Sequence, residues 1–248
     1  MPAVLDQVAP GVHRLGSGLV SFYLVEEDGR YTLVDSGLPR MFEQVPGALD
    51  ALGADLHDID AVVLTHAHGD HMGSAERLRT EAQATVHIHD ADAQLARTAR
   101  RAQTEGSALP YLWRPAALRF RVHVARNGGT GVPRIEDVRT FADGAVLDVP
   151  GRPTVVGTPG HTHGHASLLL ADRGVLFAGD ALCSRNPLTG REGPQLMPHP
   201  LNASNEQAAA SLDRLAALDA ETLLFGHGDP WRDGAAAAVE RARELGPS

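Results

Sequence analysis

Apolar residues recur along the chain in short runs separated by polar turns, a pattern typical of buried strands. Longer stretches instead place apolar residues at helical spacing. One of these contains Phe42, Val45 and Leu49 and ends at Gly53, a favourable residue for a helix C-terminus. We predict strands at residues 19–25, 31–35, 61–65, 85–89, 138–141, 146–149, 154–158, 166–171, 175–178 and 222–225. We predict helices at residues 39–53, 69–81, 90–103, 204–218 and 234–245.

The order of these elements predicts an α/β protein made of two similar halves. A succession of strands followed by helices occurs twice along the chain, so we expect the two halves to pack together in a single domain covering residues 1–248. The pattern weakens over residues 104–133, where prolines and glycines interrupt it and several aromatic residues occur. We predict a surface insertion at 104–133, of the kind that often forms a substrate pocket. Residues 186–200 are predicted to be a loop.

Composition excludes several classes of function. All 22 basic residues are arginine, so Schiff-base lysines, pyridoxal-phosphate anchors and Walker A loops are absent. A net charge of −9 argues against a nucleic-acid partner, which needs a basic surface. Cys183, the single cysteine, excludes an internal disulfide and any multi-cysteine zinc site.

The chain also lacks recognisable targeting or membrane segments. Residues 1–10 contain no basic-then-apolar signal pattern, and no apolar run is long enough to cross a membrane. We therefore expect a cytoplasmic protein without a membrane partner. The pattern leaves the oligomeric state open.

Histidine is abundant, with 13 in the chain, and the strongest signal is the run HAHGDH at residues 66–71. It supplies four imidazole or carboxylate side chains directly after the strand predicted at 61–65. Such groups are suitable ligands for zinc or a similar divalent ion. The run offers more ligands than one tetrahedral ion with an open position uses, which indicates a two-metal site. A run of surface histidines is the alternative, disfavoured because this one is internal and interleaved with Asp and Gly.

Three later segments share this character. In each, an apolar strand ends beside a residue that can bind a metal, with glycine allowing a close backbone approach. The segments present His161 after 154–158, Asp180 after 175–178, and His227 after 222–225. Each alone is compatible with an ordinary turn, but their repeated position at strand ends indicates one shared site.

Together these motifs resemble the metallo-β-lactamase-fold hydrolase superfamily, whose hallmark is H-x-H-x-D-H followed by a distant His, Asp and His. The resemblance implies a four-layer αββα sandwich over nearly the whole chain. It implies one divalent ion bound by His66, His68 and His161, a second bound by Asp70, His71 and His227, and Asp180 bridging both. Asp35, in the segment VDSG, would orient one of the ligand histidines.

The same resemblance implies the chemistry. Two divalent ions, zinc first, with iron or manganese also compatible, would activate a metal-bridging hydroxide for attack on the substrate. Asp70 or Asp180 would accept or orient the hydroxide proton. The chain contains neither a G-x-S-x-G elbow nor an activated cysteine, in agreement with a mechanism that needs no protein nucleophile.

Departures from the family pattern narrow the substrate. Asp180 stands where many true β-lactamases have cysteine, and lysine is absent, which argues against β-lactam hydrolysis. The ligand pattern resembles the glyoxalase II-like or lactonase-like branch. The chain ends 21 residues after His227 and lacks lysine, which argues against a hydroxyacylglutathione hydrolase with its C-terminal helical domain. We expect hydrolysis of a small-molecule lactone, ester or thioester.

Other functions and several pocket residues stay open. A mononuclear iron sulfur dioxygenase, which would use His66, His161 and Asp180, is the main alternative; a phosphodiesterase and a non-catalytic metal-binding member are others. His163 and His165 are candidates to support the ligands, and Cys183 is expected to be a small buried residue. Candidate pocket residues, for each of which ordinary packing or a surface role is the alternative, are Tyr111, Trp113, Phe120, Arg185, Met197 and His199.

Overall fold

Two β-sheets lie at the centre of the computed structural model, which describes residues 6–100 and 103–246. The strands are β1 (Asp6–Ala9), β2 (Val12–Gly16), β3 (Ser21–Glu27), β4 (Arg30–Val34), β5 (Ile59–Val63), β6 (Thr85–His89), β7 (Arg139–Phe141), β8 (Thr154–Gly157), β9 (Ala166–Leu170), β10 (Val175–Gly179), β11 (Cys183–Arg185), β12 (Glu192–Gln195) and β13 (Thr222–Phe225). The first sheet has seven strands in the order β1 to β7, and the second has the order β13-β10-β9-β8. Strands β11 and β12 form a separate hairpin.

Each large sheet begins with antiparallel strands and ends with parallel ones. In the first sheet β1 to β4 are antiparallel and β4 to β7 are parallel. In the second, β8 to β10 are antiparallel and β13 joins β10 in parallel. This repetition agrees with the two similar halves predicted from the order of elements.

The helices are α1 (Gln44–Leu52), α2 (Ala75–Glu81), α3 (Ala93–Thr98), α4 (Pro115–Arg126), α5 (Asn205–Ala216) and α6 (Ala235–Leu245). Ser204 is the N-cap residue of α5, and its side chain accepts a hydrogen bond from the backbone N–H of Gln207. No helix in the described ranges is long and apolar enough to cross a membrane.

Side chains point alternately to the two faces of each strand, and the core that each face packs against shows the order of the layers. In β3, Phe22 and Leu24 face a core shared with α1, whereas Tyr23 and Val25 face the core between the two sheets. A third core lies beneath α5 and α6, where Leu223 packs with the apolar faces of both helices. The order of layers is therefore helix, sheet, sheet, helix, and the predicted αββα fold class is confirmed.

The N-terminal hairpin of β1 and β2 is an element that we did not predict from the sequence. Pro10 and Gly11 form its turn, and Gly11 has a positive φ of 63°. Val8 and Val12 flank this turn and are buried, so a signal was present but too short to stand out.

Two predicted segments near the second sheet are wrong. Residues 146–149 form no strand: the only pairing there is a single bridge between Val146 and Thr154. Val146 is exposed, and the turn at Pro150 and Gly151 ends the extended run. The loop predicted at 186–200 contains β12, which pairs with β11 just before it.

Three helix boundaries also differ from the prediction. The helix predicted at 69–81 begins at Ala75, because residues 66–74 are held in turns, including one from His68 to His71. The helix predicted at 90–103 ends at Thr98, where Ala99 takes a left-handed conformation; residues 101 and 102 lie outside the described ranges. The helix predicted at 39–53 begins with a 3₁₀ turn at Pro39–Glu43.

The segment 104–133 contains α4, a helix of 12 residues that we did not predict from the sequence. Pro115 occupies the first turn of α4, where proline starts a helix rather than breaking it. The extent of the domain over residues 1–248 and the insertion at 104–133 stay predictions.

Candidate metal centre

Four loops at the carboxyl ends of strands from both sheets meet at one edge of the sandwich. They follow β5, β8, β10 and β13, the strands that the sequence predicted to end in metal-binding residues. Because the sheets are stacked, their strand ends converge although they are far apart in sequence. The side chains brought together are His66, His68, Asp70, His71, His161, Asp180 and His227.

These seven side chains form three overlapping groups, within each of which the candidate ligand atoms lie within 4.8 Å of one another. The groups are His66, His68 and His161; His66, His71 and Asp180; and Asp70, His71 and His227.

Asp180 lies at the centre of the cluster. Its Oδ2 is 3.1 Å from Nε2 of His227, 3.3 Å from Nε2 of His161 and 3.5 Å from Nε2 of His71. Asp70 lies at one side, with its Oδ2 3.6 Å from Nε2 of His227. A single carboxylate therefore contacts histidines from three different loops.

Several atoms of the cluster are buried without a hydrogen-bond partner in the described part of the chain: Nε2 of His66, His71 and His161, and Oδ1 of Asp180. Buried polar atoms rarely stay unsatisfied in a folded protein. Imidazole nitrogens and carboxylate oxygens are the donor set that divalent transition metals prefer. The residues present therefore fit a metal centre.

Hydrogen bonds on the far side of the rings orient the histidines. Nδ1 of His71 donates to Oδ2 of Asp35 at 2.8 Å, and Nδ1 of His161 donates to Oδ1 of Asn202 at 3.1 Å. Asn202 is itself oriented, because its Nδ2 donates to the backbone oxygen of Met197. With the proton on Nδ1, each ring directs the lone pair of Nε2 into the cluster.

His66 is oriented through a two-step relay. Oγ1 of Thr65 donates to the carboxylate of Asp35, which leaves its lone pairs to accept from Nδ1 of His66 at 3.0 Å. Asp35 also accepts from the backbone N–H of Thr65 at 2.8 Å. One buried carboxylate thus orients two histidines, His71 directly and His66 through a hydroxyl.

His227 completes this pattern with a backbone partner: its Nδ1 donates to the carbonyl oxygen of Leu19. We did not predict the roles of Leu19, Thr65 and Asn202 from the sequence. Thr65 adjoins the histidine motif and was open to inference, whereas Asn202 lies 41 residues from His161 and carried no motif signal.

Asp92 joins two of the loops that carry candidate ligands and was also missed. This fully buried carboxylate accepts from the backbone of Ala67 at 3.0 Å, from Oγ1 of Thr162 at 2.7 Å and from the backbone of Gly164 at 2.8 Å. The loop after β5 and the loop after β8 are therefore fixed to each other through one side chain at the start of α3.

Burial keeps part of the cluster neutral. It lowers the pKa of His66 and His161 well below the usual value, and adjacent imidazoles act in the same direction. It also lowers the pKa of His68. Neutral imidazole is the form that binds a metal ion, because protonation would occupy the lone pair.

The carboxylates raise the pKa of the other two histidines, His71 and His227. Although burial acts to lower both pKa values, Asp180 together with Asp35 holds the pKa of His71 well above its usual value, and Asp180 raises the pKa of His227. Burial opposes ionisation of Asp180, yet His227 and His71 hold its pKa well below its usual range. The negative charge here favours a cation, either a proton or a metal ion.

His165 supports Asp180 from behind. Its Nε2 accepts a hydrogen bond of 2.9 Å from the backbone N–H of Asp180, and its Nδ1 donates to Oγ1 of Thr158. Burial lowers the pKa of His165 to about 4, so the ring stays neutral and can accept. His163, two residues earlier, is exposed.

Three of the predicted pocket residues lie close to the cluster. The ring of Phe120, on α4, meets the ring of His227 edge-on at 5.4 Å. Arg185 contacts Glu192, and its backbone N–H donates to the carbonyl oxygen of His227. Met197 is buried, and its backbone oxygen accepts a hydrogen bond from Nδ2 of Asn202, the residue that orients His161.

The other three predicted pocket residues lie nearer the surface. Trp113 is 77% exposed, His199 is exposed, and Tyr111 is half-buried. The guanidinium of Arg114 lies 5.4 Å from the ring centre of Tyr111. Cys183 is buried, and burial raises the pKa of its thiol well above the usual value, which agrees with the packing role predicted for it.

Comparison with known proteins places the chain in a family. Residues 15–227 match the family model of the metallo-beta-lactamase superfamily, and the chain belongs to this superfamily. This membership confirms the resemblance inferred from the motifs. Metal-dependent hydrolysis is the general activity that it supports.

Relatives with curated names are similar over most of the chain. An uncharacterized protein of Bacillus subtilis, YobT, is 32% identical over 84% of this chain and 83% of its own. The probable metallo-hydrolase YflN of the same organism is 27% identical over 90% of this chain and 86% of its own. A hydroxyacylglutathione hydrolase of Acidiphilium cryptum is 28% identical, over 83% of this chain but 63% of its own.

Solved structures share the fold. The metallo-beta-lactamase family protein TTHA1429 of Thermus thermophilus superposes with a TM-score of 0.65 at 28% identity, over 95% of this chain and 78% of its own. The metallo-beta-lactamase SMB-1 superposes with a TM-score of 0.70 at 18% identity, over 96% of this chain and 92% of its own. At that identity the second likeness concerns the fold alone.

Proposed function

We propose that the protein is a dinuclear metal-dependent hydrolase that acts on a small ester-like bond, in a lactone, an ester or a thioester. The observation that carries this proposal is the position of Asp180, whose Oδ2 lies within 3.5 Å of Nε2 of three histidines. His161 groups with His66 and His68, whereas His71 and His227 group with Asp70, and a carboxylate close to both groups is suited to bridge two cations.

The proposed ligands divide into two sets. The first divalent ion is assigned to His66, His68 and His161, the second to Asp70, His71 and His227, and the bridge to Asp180. Zinc suits these nitrogen and oxygen donors, and iron or manganese are compatible with them. When bound, such ions supply a nucleophile at neutral pH and stabilise negative charge that develops on the substrate.

The two carboxylates have different surroundings, which supports different roles. The side chain of Asp180 is 2% exposed and surrounded by histidines, so it acts mainly to hold charge at the centre. The side chain of Asp70 is 17% exposed. We therefore assign to Asp70 the role of accepting the proton that the attacking water loses, since Asp70 reaches solvent and can release that proton afterwards.

The proposed substrate class is supported by two residue types that the site lacks and by the names of related proteins. Aspartate rather than cysteine stands at 180, and the sequence contains no lysine to hold a β-lactam carboxylate. One relative is named a probable metallo-hydrolase and another a hydroxyacylglutathione hydrolase. A small-molecule thioester, ester or lactone is the substrate that fits these observations.

The test begins with elemental analysis of the protein purified without added metal. About two divalent ions per chain are expected, whereas one iron ion would favour the oxygenase alternative. Asp180→Ala and His68→Ala should lose metal and hydrolysis together. His163→Ala is the matched control, because this exposed histidine lies in a ligand-bearing loop without belonging to the cluster.

A substrate panel completes the test. It contains p-nitrophenyl esters, lactones, thioesters, a phosphodiester and a chromogenic β-lactam. Hydrolysis of an ester, lactone or thioester by the metal-loaded protein, lost in Asp180→Ala, is the expected result. Turnover of the phosphodiester alone, or of none of these substrates, would overturn the proposed substrate class.

A further inference from the structure

Basic residues are concentrated in one segment of an otherwise acidic chain. Residues 106–135 contain five arginines and no acidic residue, although the whole chain has 22 basic and 31 acidic residues. Four of them are carried on or immediately before α4: Arg114, Arg119, Arg121 and Arg126. A local positive charge of this size attracts anions, whatever the net charge of the protein.

A cavity of about 520 Å³ lies against this helix, a size that suits a small molecule. One wall is a single face of α4, on which Leu118, Arg119, Val122 and Arg126 follow one another at helical spacing. The loop 17–19 and Arg185 form the other walls.

The cavity adjoins the candidate metal centre through His227. In the wall formed by the loop 17–19, the carbonyl oxygen of Leu19 accepts the Nδ1 proton of His227. In the wall formed by Arg185, the backbone N–H of Arg185 donates to the carbonyl oxygen of His227. On α4, which forms the remaining wall, Phe120 places its ring 5.4 Å from the His227 ring. A molecule in this cavity would therefore lie beside the side of the cluster that contains Asp70 and His227.

The arginines of the cavity differ in whether a carboxylate lies beside the guanidinium group. Arg185 already contacts Glu192. In contrast, within residues 6–100 and 103–246 no carboxylate lies within 4.0 Å of the guanidinium of Arg119 or Arg126. Both are exposed, so their donors are free to bind a ligand.

Two apolar side chains stand beside these charges. Leu118 is 54% exposed and Val122 is 39% exposed, and both line the cavity, so each offers apolar surface to a bound molecule. His123 adds no charge at neutral pH, since burial and the neighbouring Arg119 lower its pKa. The cavity thus combines a short apolar surface with two unpaired guanidinium groups.

We propose that this cavity binds a carboxylate or phosphate group of the substrate, with Arg119 and Arg126 as the residues that determine specificity. The inference rests on the proposed function and deepens it: the substrate is an anionic ester, lactone or thioester. Its charged end pairs with the guanidinium groups, a short apolar stem lies along Leu118 and Val122, and its reactive bond points toward His227. Guanidinium is suited to this task because its donors bind carboxylate or phosphate in pairs.

The kinetic test uses two esters of equal acyl length, p-nitrophenyl hydrogen glutarate, which carries a carboxylate, and neutral p-nitrophenyl valerate. In the metal-loaded protein, Arg119→Gln with Arg126→Gln should lower kcat/KM for the anionic ester about 10- to 100-fold, mainly through KM. The neutral ester should change less than about twofold. Arg121→Gln is the matched control, because Arg121 lies on α4 outside the cavity lining.

A binding measurement tests the anion site independently of the proposed hydrolase activity. Calorimetric titration with glutarate and with methylphosphonate should show binding of at least one, weakened about tenfold or more in the double variant and unchanged in Arg121→Gln. The tighter of the two probes identifies the anion class. Arginine-dependent binding without hydrolysis of any ester would refute the proposed function and support the cavity.

Three results would overturn the anion site itself. They are equal loss for charged and neutral esters in the double variant, equal loss in Arg121→Gln, and failure of both anions to bind. Each of the first two can be observed only if the wild-type protein hydrolyses the esters, so the proposed function would survive them.

Discussion

Nδ1 of His71 donates a hydrogen bond of 2.8 Å to Oδ2 of Asp35, and both side chains are buried. The same carboxylate accepts from the backbone and the hydroxyl of Thr65, which in turn receives the Nδ1 proton of His66. Asp35 therefore acts as a positioning residue for two candidate ligands from outside the cluster. Its left-handed conformation, with φ at 60°, is one that aspartate tolerates better than most residues.

Asp35→Asn should weaken metal binding. Every partner of Asp35 is a donor, so an amide NH₂ at this position would face another donor and disturb the orientation of His71 or His66. We expect metal affinity to fall about 10- to 100-fold, as for other groups that orient metal ligands. Competition with a chromogenic chelator measures this loss. Asp50→Asn, at an exposed position on α1, should leave affinity unchanged; equal affinity in both variants would contradict the positioning role.

Asp92→Ala should destabilise the fold and the centre together. The change leaves the backbone N–H groups of Ala67 and Gly164 and the hydroxyl of Thr162 without their buried acceptor. Loss of this network should lower the free energy of unfolding by about 2–4 kcal/mol. Urea denaturation measures it, with the exposed neighbour Asp90→Ala as the control. A loss below about 0.5 kcal/mol would show that Asp92 does not hold the two loops together.

Gly226→Ala should damage the centre by crowding rather than by loss of a ligand. A Cβ at 226 would lie 2.3 Å from Oδ1 of Asp180 and 2.4 Å from Cε1 of His71, so both side chains must move. Displacement on the scale of 1 Å should lower kcat/KM on the order of 100-fold.

The control for this substitution is Gly47→Ala. Nothing lies within 4 Å of a Cβ at 47, and the residue is within α1, so the change should be neutral or stabilising by up to about 1 kcal/mol. Wild-type metal content and activity in Gly226→Ala would be incompatible with a cluster packed as described.

Removal of metal should lower thermal stability. An ion present at 1,000 times its Kd adds about 4 kcal/mol to the free energy of unfolding. For a chain of this size that corresponds to a fall in Tm of about 10 °C on treatment with a chelator. Differential scanning calorimetry measures the shift, which should reverse when zinc is restored. Asp180→Ala should respond far less, whereas His163→Ala should respond like the wild type; an equal response in both variants would count against Asp180 as a ligand.

Local patterns were enough for the elements that carry the centre. The apolar runs before His66, Asp180 and His227 predicted strands that the structure contains as β5, β10 and β13. These strands could be predicted because a short run of successive apolar residues is a local signal for a buried strand, independent of distant parts of the chain. Residues 146–149 show the limit of that rule: the run is apolar enough, yet Val146 points into solvent and only one bridge forms.

The sequence by itself determined the α/β class, the two halves and the residue types that can bind metal, since periodicity and motif spacing are properties of adjacent residues. Tertiary structure decided which distant groups orient them: Asn202 for His161, the carbonyl of Leu19 for His227, and Asp92 between two loops. It also decided that α4 borders a cavity beside His227. These contacts join segments far apart in the chain, and the packing of sheets, helices and loops in the folded domain brings such segments within hydrogen-bonding distance.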